Sequence, residues 1–238
     1  MIVLPTSAIQ LGFAFLMLLF LAWRFFVTYK KTGSLYAKCL GYMLLLVTLP
    51  ILYPFSIALF LSFGFDDARS IGRFVTPSIA GLQYFGLGFG AMAASFYYFP
   101  QLSPKYAYAL VLILGAVETL YSLSFAQEPN MKPLGVIDWH MNNISIILYN
   151  IINGLGTIPL VIGFLQKSFA AKVYSRAAML FFGSLLVVIF APLPHQTIEF
   201  VPFVLYSILT NAGLFLMFGG FLLQIGVQQR LTKEPSVV

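Results

Sequence analysis

The chain has 238 residues, of which 60% are hydrophobic and only 8% are charged. Soluble globular proteins carry about 25% charged residues, so this composition excludes a water-covered surface and indicates that lipid is the main solvent. The net charge of +6 does not indicate a nucleic-acid partner, because the basic residues lie at the ends of apolar segments, where anionic headgroups attract them.

Seven apolar segments are long enough to cross a bilayer as helices, since about 20 helical residues span its hydrocarbon core. We predict an all-α fold, a bundle of seven transmembrane helices that forms a single domain over residues 1–238, with the N-terminus outside and the C-terminus in the cytoplasm. The predicted spans are residues 7–29, 37–63, 77–99, 106–125, 142–165, 177–192 and 201–227.

The first two spans contain basic residues and prolines at informative positions. No basic residue precedes the first span, and Arg24, Lys30 and Lys31 lie near its end, which predicts an uncleaved helix rather than a signal peptide. The second span contains Pro50 and Pro54. Because each proline lacks a backbone donor and clashes with the preceding turn, we expect a kink there.

The third span carries a predicted packing face. Gly86, Gly90 and Ala94 recur every four residues, and small side chains at this spacing let a second helix approach closely. Gln83 lies one turn before them and is a candidate for lining a polar path.

The fourth span contains Glu118, the only carboxylate inside a predicted span. An ionisable group at that depth is expensive, so it is a candidate for function. The alternative is a structural carboxyl that is wetted near the surface, or kept protonated and hydrogen-bonded to Tyr121, Ser122 or a neighbouring helix.

Residues 126–141 are predicted to be the longest outer loop, and Trp139 suits the membrane interface. In the fifth span, four polar residues fall on one face, because steps of seven, three and four residues keep side chains on the same side of a helix. They are Asn143, Asn150, Asn153 and Thr157. Amides avoid lipid, so this face is expected to turn inward. Its side chains either line a cavity or bind neighbouring helices to one another.

The seventh span has polar residues one turn apart, Ser207 and Asn211. They complete the set of side chains that are candidates for a ligand site or a polar path. This set consists of Gln83, Glu118, Asn150, Asn153, Thr157, Ser207 and Asn211.

The charge distribution supports the predicted orientation. With an outer N-terminus, ten lysine and arginine residues fall on inner segments and three, Arg69, Arg73 and Lys132, fall on outer loops. An excess of positive charge on the cytoplasmic side is the rule for membrane proteins. We expect an integral protein of a bacterial or archaeal plasma membrane.

The two histidines are the candidates for a metal site. His140 precedes the fifth span and His195 follows the sixth, so both are predicted at the outer boundary. We expect Glu118 to share this outer region, because it lies about 18 Å along the fourth span from its inner end, past the midplane of a core about 30 Å thick. Haem ligands normally lie deeper inside spans, and no cofactor is predicted.

No motif indicates an enzyme. A retinal protein needs a lysine in mid-helix, and every lysine lies at a span boundary. Hydrolysis inside the membrane needs a serine–histidine pair or two aspartates within spans, and the predicted spans contain no aspartate. We therefore predict a non-enzymatic protein.

In topology, the chain resembles the seven-helix sensory modules that precede bacterial signalling domains. The resemblance covers the whole chain and includes a basic connector before the sixth span, Tyr174-Ser175-Arg176. It implies a sensor or receptor-like module; the alternatives are an accessory subunit of a membrane complex and a small-solute transporter or channel. The expected partners are the lipid bilayer and either another membrane protein or a second copy of the chain.

Overall fold

The computed structural model describes residues 5–97, 101–140, 142–170, 174–191, 193 and 199–231. Most of this part of the chain is helical, and the predicted all-α class is confirmed. The helices are α1 (Thr6–Thr32), α2 (Leu35–Thr48), α3 (Leu52–Ser62), α4 (Ala68–Tyr97), α5 (Pro104–Ser124), α6 (Asn143–Ala170), α7 (Tyr174–Phe190) and α8 (Phe200–Leu231).

Five helical segments of the described chain are long and apolar enough to cross a membrane. They are Thr6–Thr32, Leu35–Ser62, Pro77–Phe96, Pro104–Ser124 and Phe200–Gly220. Two shorter apolar helices, Asn143–Ile158 and Ala178–Phe190, lie where the fifth and sixth spans are predicted. These lengths and compositions indicate an integral membrane protein.

The α-helix of the second predicted span is interrupted where the sequence predicts a kink. Helix α2 ends at Thr48, a 3-10 helical turn covers Leu49–Ile51, and α3 begins at Leu52. Pro50 lies in this turn, where its missing N–H cannot continue the α-helical hydrogen bonds. Helices α2 and α3 are therefore two parts of one interrupted helical segment, and a kink at this point stays a prediction.

Helix α4 lies at the centre of the packing, in contact with α2, α3, α5 and α6. The small-residue face predicted on α4 is confirmed. A Cβ at Gly86 would lie 2.7 Å from the Met43 carbonyl oxygen of α2, and a Cβ at Gly90 would overlap the Gly156 carbonyl oxygen of α6. The two glycines let α4 touch two helices at backbone distance.

The segment predicted as the longest outer loop contains a short antiparallel hairpin. Strand β1 (Asn130–Met131) pairs with β2 (Ile137–Asp138). The Ile137 N–H donates to Ser7 Oγ at 3.1 Å, which ties the hairpin to the first turn of α1. The start of α1 and the α5–α6 connection therefore lie at the same end of the bundle.

The start of α4 lies at this end too, since Arg73 Nε donates to the Ala126 carbonyl oxygen at 3.0 Å. We call this side of the molecule the hairpin end. It gathers segments that the sequence assigns to the outer side of the membrane, namely the start of α1, the α3–α4 connection and the α5–α6 connection.

We expect Ser7→Ala to loosen the hairpin. Ser7 is buried, and its loss leaves the buried Ile137 N–H without its acceptor, which costs about 1 to 3 kcal/mol. Hydrogen–deuterium exchange at the Ile137 amide should become faster. Ser56→Ala is the control, because Ser56 Oγ donates only to Leu52 of its own helix; equal exchange rates in the two variants would contradict this role of Ser7.

Candidate functional site

A cavity of about 230 Å³ lies inside the bundle. All eight helices contribute side chains to its lining, and Trp139, His140 and Asn142 line it near the hairpin end. Its volume is somewhat below the range of about 300–1,000 Å³ typical of pockets for drug-sized ligands. The cavity therefore suits a smaller molecule.

A hydrogen-bonded chain of four side chains joins α4, α5 and α6. Tyr84 Oη donates to Glu118 Oε2 at 2.7 Å. Ser122 Oγ lies within hydrogen-bond distance of Glu118 Oε1 and of Ser145 Oγ, the latter at 2.7 Å. Glu118, Ser122 and Ser145 line the cavity, and Glu118 is 0% exposed. We call these four residues the Glu118 cluster.

The position of Glu118 in this cluster is compatible with both alternatives, a functional carboxyl and a structural one. Its carboxyl is hydrogen-bonded to Ser122 and to Tyr84 of a neighbouring helix, as the structural alternative expected. The same carboxyl also lies in the wall of the cavity, where a ligand could contact it. A structural role and a binding role are therefore both open to it.

The local sequence explains how the cluster forms. Glu118 and Ser122 are one turn apart on α5, so their side chains leave the helix on the same side. Ser145 lies in the first turn of α6. The Tyr84 ring crosses Gly115 to reach Glu118, and a Cβ at Gly115 would lie 2.6 Å from that ring. A glycine at this position is what lets α4 and α5 approach closely enough.

Four of the seven residues predicted for a ligand site or polar path line the cavity. They are Gln83, Glu118, Asn153 and Thr157. Gln83 Nε2 donates to the Val47 carbonyl oxygen of α2 at 3.2 Å, and Thr157 Oγ1 donates to the Asn153 carbonyl oxygen at 2.5 Å. Their polar groups therefore satisfy backbone carbonyls as well as lining the cavity.

The other three predicted residues are not part of this lining. Asn150 is exposed, although its face of α6 was expected to turn inward; neighbouring helices cover that face at the depth of Thr157 but not at Asn150. Ser207 Oγ is buried, and neither it nor Asn211 Oδ1 has a hydrogen-bond partner among the described atoms. Helix α8 reaches the cavity through Thr210 and Leu214 and not through these two residues.

His140 lies at the rim of the same cavity as Glu118. Its Nε2 lies 3.0 Å from Asn130 Nδ2, and its Nδ1 lies 3.4 Å from Asp138 Oδ1, so both ring nitrogens have partners within the hairpin. Among the described residues, no group of three histidine, cysteine or acidic side chains is placed to hold a metal ion. His195 lies outside the described residues, and a metal site with His140 stays a prediction.

Sequence reasoning missed several polar or aromatic residues of the site, among them Gln10, Tyr84, Ser145 and Tyr149. Gln10 is buried against the cavity, and an amide near the start of an apolar span is a signal that could have identified it. The tyrosines and the serine are ordinary residues for membrane helices. Only the packing of α4, α5 and α6 identifies them.

A second cavity of about 80 Å³ lies further from the hairpin end than the first cavity does. The two cavities share lining residues, among them Leu18, Met43 and Leu214. The surface of the second cavity is apolar. The Glu118 cluster is therefore restricted to the cavity nearer the hairpin end.

No protein-family model, curated protein or solved structure matches this chain. The central cavity and the Glu118 cluster are therefore the features of the molecule that bear on its function.

Proposed function

We propose that this chain is a receptor-like integral membrane module, in which seven helical spans surround a ligand cavity near the outer side of the membrane. The spans are α1, the interrupted segment α2–α3, and α4 to α8. The hairpin end faces outward and the N-terminus is outside, because three of the thirteen lysine and arginine residues fall on that side and ten on the other.

The observation that carries this proposal is a central cavity lined by all eight helices, with the Glu118 cluster in its wall. A ligand shifts a protein toward the arrangement that it binds more tightly. Because every helix contributes side chains to the lining, a ligand in the cavity can favour one packing of the helices over another. The same helices continue to the basic inner side, so a change in packing reaches the cytoplasm.

A transporter for small solutes is the second candidate, and the second cavity is the observation that bears on it. This second cavity lies toward the inner side and is small and apolar, so a polar solute that entered it would lose its hydrogen bonds. Proteoliposome flux separates the two functions: binding without flux supports the receptor, and flux of a compound that binds the cavity supports transport.

A receptor-like module of this kind is expected to act through another membrane protein or through a second copy of the chain. An accessory subunit of a membrane complex would have the same kind of partner. Native mass spectrometry in a mild detergent measures the assembly. A strictly monomeric protein that responds to no ligand would contradict the proposal.

The binding test uses three compounds on one frame: 2-phenylethylamine, 2-phenylethanol and 3-phenylpropionate. At least one of them is expected to raise the melting temperature of the purified full chain in detergent, because a ligand that binds only the folded state stabilises it. Ala80→Leu places a larger side chain in the lining of the cavity and is expected to abolish this rise.

Leu82→Phe is the matched control for Ala80→Leu. Leu82 lies two residues further along α4 and is exposed, so the added volume lies outside the cavity and the response should equal that of the unsubstituted chain. If no compound changes the melting temperature, or if Ala80→Leu responds as the control does, the cavity is not a ligand site.

A further inference from the structure

We propose that the ligand of the central cavity is a small organic amine, whose protonated nitrogen binds the Glu118 carboxylate. This inference rests on the proposed receptor function and adds the chemical class of its ligand. Three features around Glu118 carry it: the charge, the hydrogen bonds and the aromatic side chains.

The first feature is a buried acid without a basic partner. Glu118 is the one carboxylic acid in the described lining of the cavity, and its side chain is 0% exposed. Among the described side chains, no lysine, arginine or histidine lies within 4 Å of its carboxyl oxygens. A carboxylate removed from water is costly unless a positive group accompanies it. A cationic ligand supplies that group from the cavity.

The guanidinium in the lining is not placed to supply it. Arg73 lines the cavity near the hairpin end, where its Nε donates to the Ala126 carbonyl oxygen. It precedes Tyr84, the α4 partner of Glu118, by eleven residues, or about 16 Å along the helix. The basic and acidic groups of the lining therefore lie at different depths, and the deeper one is acidic.

The hydrogen bonds leave acceptors for a ligand. Tyr84 and Ser122 each bond one oxygen of the Glu118 carboxyl, and each oxygen of a carboxylate has two lone pairs. Ser145 Oγ adds an acceptor in the same wall, 2.7 Å from Ser122 Oγ. An ammonium group has three N–H donors, so it can bond the carboxylate and the Ser145 hydroxyl together, whereas an alcohol has one donor.

Aromatic side chains form the third feature. Phe125, Trp139 and Tyr149 line the cavity, and the Tyr149 ring centroid lies 6.3 Å from that of Tyr84. Tyr149 therefore packs beside the ring whose hydroxyl bonds the Glu118 carboxyl. Aromatic faces attract cations, and they do so more strongly away from water. Most of the remaining lining is apolar and suits the hydrocarbon part of an amine.

The experiment measures binding of the three phenylethyl compounds by the fluorescence of Trp139, which lines the cavity. The chain has two tryptophans, and Trp23→Phe removes the other one, which is exposed. In this background, 2-phenylethylamine is expected to bind at least about tenfold more tightly than 2-phenylethanol, and 3-phenylpropionate is expected to bind most weakly.

Glu118→Gln keeps the shape of the side chain and removes its charge. The amine is expected to lose about tenfold or more in affinity, while the affinity of the alcohol changes by less than about threefold. Asp66→Asn is the matched control, because Asp66 is an exposed acid at the hairpin end that pairs with Arg69. The affinities of all three compounds should be the same in the Asp66→Asn protein as in the protein without this substitution.

Tyr149→Leu serves as the second variant in case Glu118→Gln does not fold. It is expected to weaken binding of the amine more than binding of the alcohol. If the alcohol or the acid binds the Trp23→Phe protein as tightly as the amine does, the ligand is not an amine, and the receptor proposal stands. If none of the three compounds binds, the receptor proposal fails together with this inference.

Discussion

Gly90→Ala is expected to destabilise the bundle by about 3 kcal/mol, the upper part of the usual range for overpacking. The new Cβ would overlap the Gly156 carbonyl oxygen and lie 2.8 Å from Met43 Sδ. The methionine side chain can move, but the carbonyl belongs to the backbone of α6, so α4 and α6 would have to separate. Reversible unfolding by SDS in mixed micelles measures the loss.

Gly154→Ala is the matched control on α6. Its Cβ would meet only the Ile158 Cδ1 atom, at 3.3 Å, and the end of a flexible side chain can give way. Since alanine is also the better helix former, we expect the free energy of unfolding to change by less than about 1 kcal/mol. Equal losses in the two variants would show that the close approach of α4 and α6 is not needed for the fold.

Glu118→Leu is expected to lower the free energy of unfolding by about 2 to 3 kcal/mol. Leucine fills the space but leaves the Tyr84 hydroxyl, on a side chain that is 1% exposed, without its acceptor. An unpaired buried polar group costs about 1 to 3 kcal/mol. Glu118→Gln is expected to cost about 1 kcal/mol or less, because its amide oxygen can accept from Tyr84 and its NH₂ group can donate to Ser122.

A double-mutant cycle tests whether the bond between Tyr84 and Glu118 is responsible. Tyr84→Phe removes the hydroxyl that Glu118→Leu leaves unpaired, so the two substitutions together should cost about 1 kcal/mol less than the sum of the single costs. Strictly additive losses would show that this hydrogen bond does not couple α4 to α5.

The class of the protein and several of its helical features could be predicted from the sequence. Low charge and long apolar runs indicate a membrane protein, because lipid is the only solvent that suits them. The helix interruption at Pro50 and the packing face at Gly86 and Gly90 depend on residues that are close in the chain. Local steric effects of proline and glycine decide both features, so a local pattern is enough to predict them.

Only the tertiary structure determines which polar groups from distant parts of the chain lie next to each other. Glu118 is recognisable in the sequence as a buried acid, but its partner Tyr84 lies 34 residues away on another helix. The hairpin strands are two residues long, too short for an alternating pattern, and their anchor Ser7 lies 130 residues before Ile137. No local pattern links such positions.

The sequence also could not predict which side chains of a helix are covered by neighbouring helices. Asn150 and Thr157 share a face of α6, yet Asn150 is exposed and Thr157 lines the central cavity. Helical periodicity determines the direction in which a side chain leaves its helix. Whether that direction meets lipid, another helix or a cavity depends on the helices packed at that depth, and their arrangement is a property of the whole bundle.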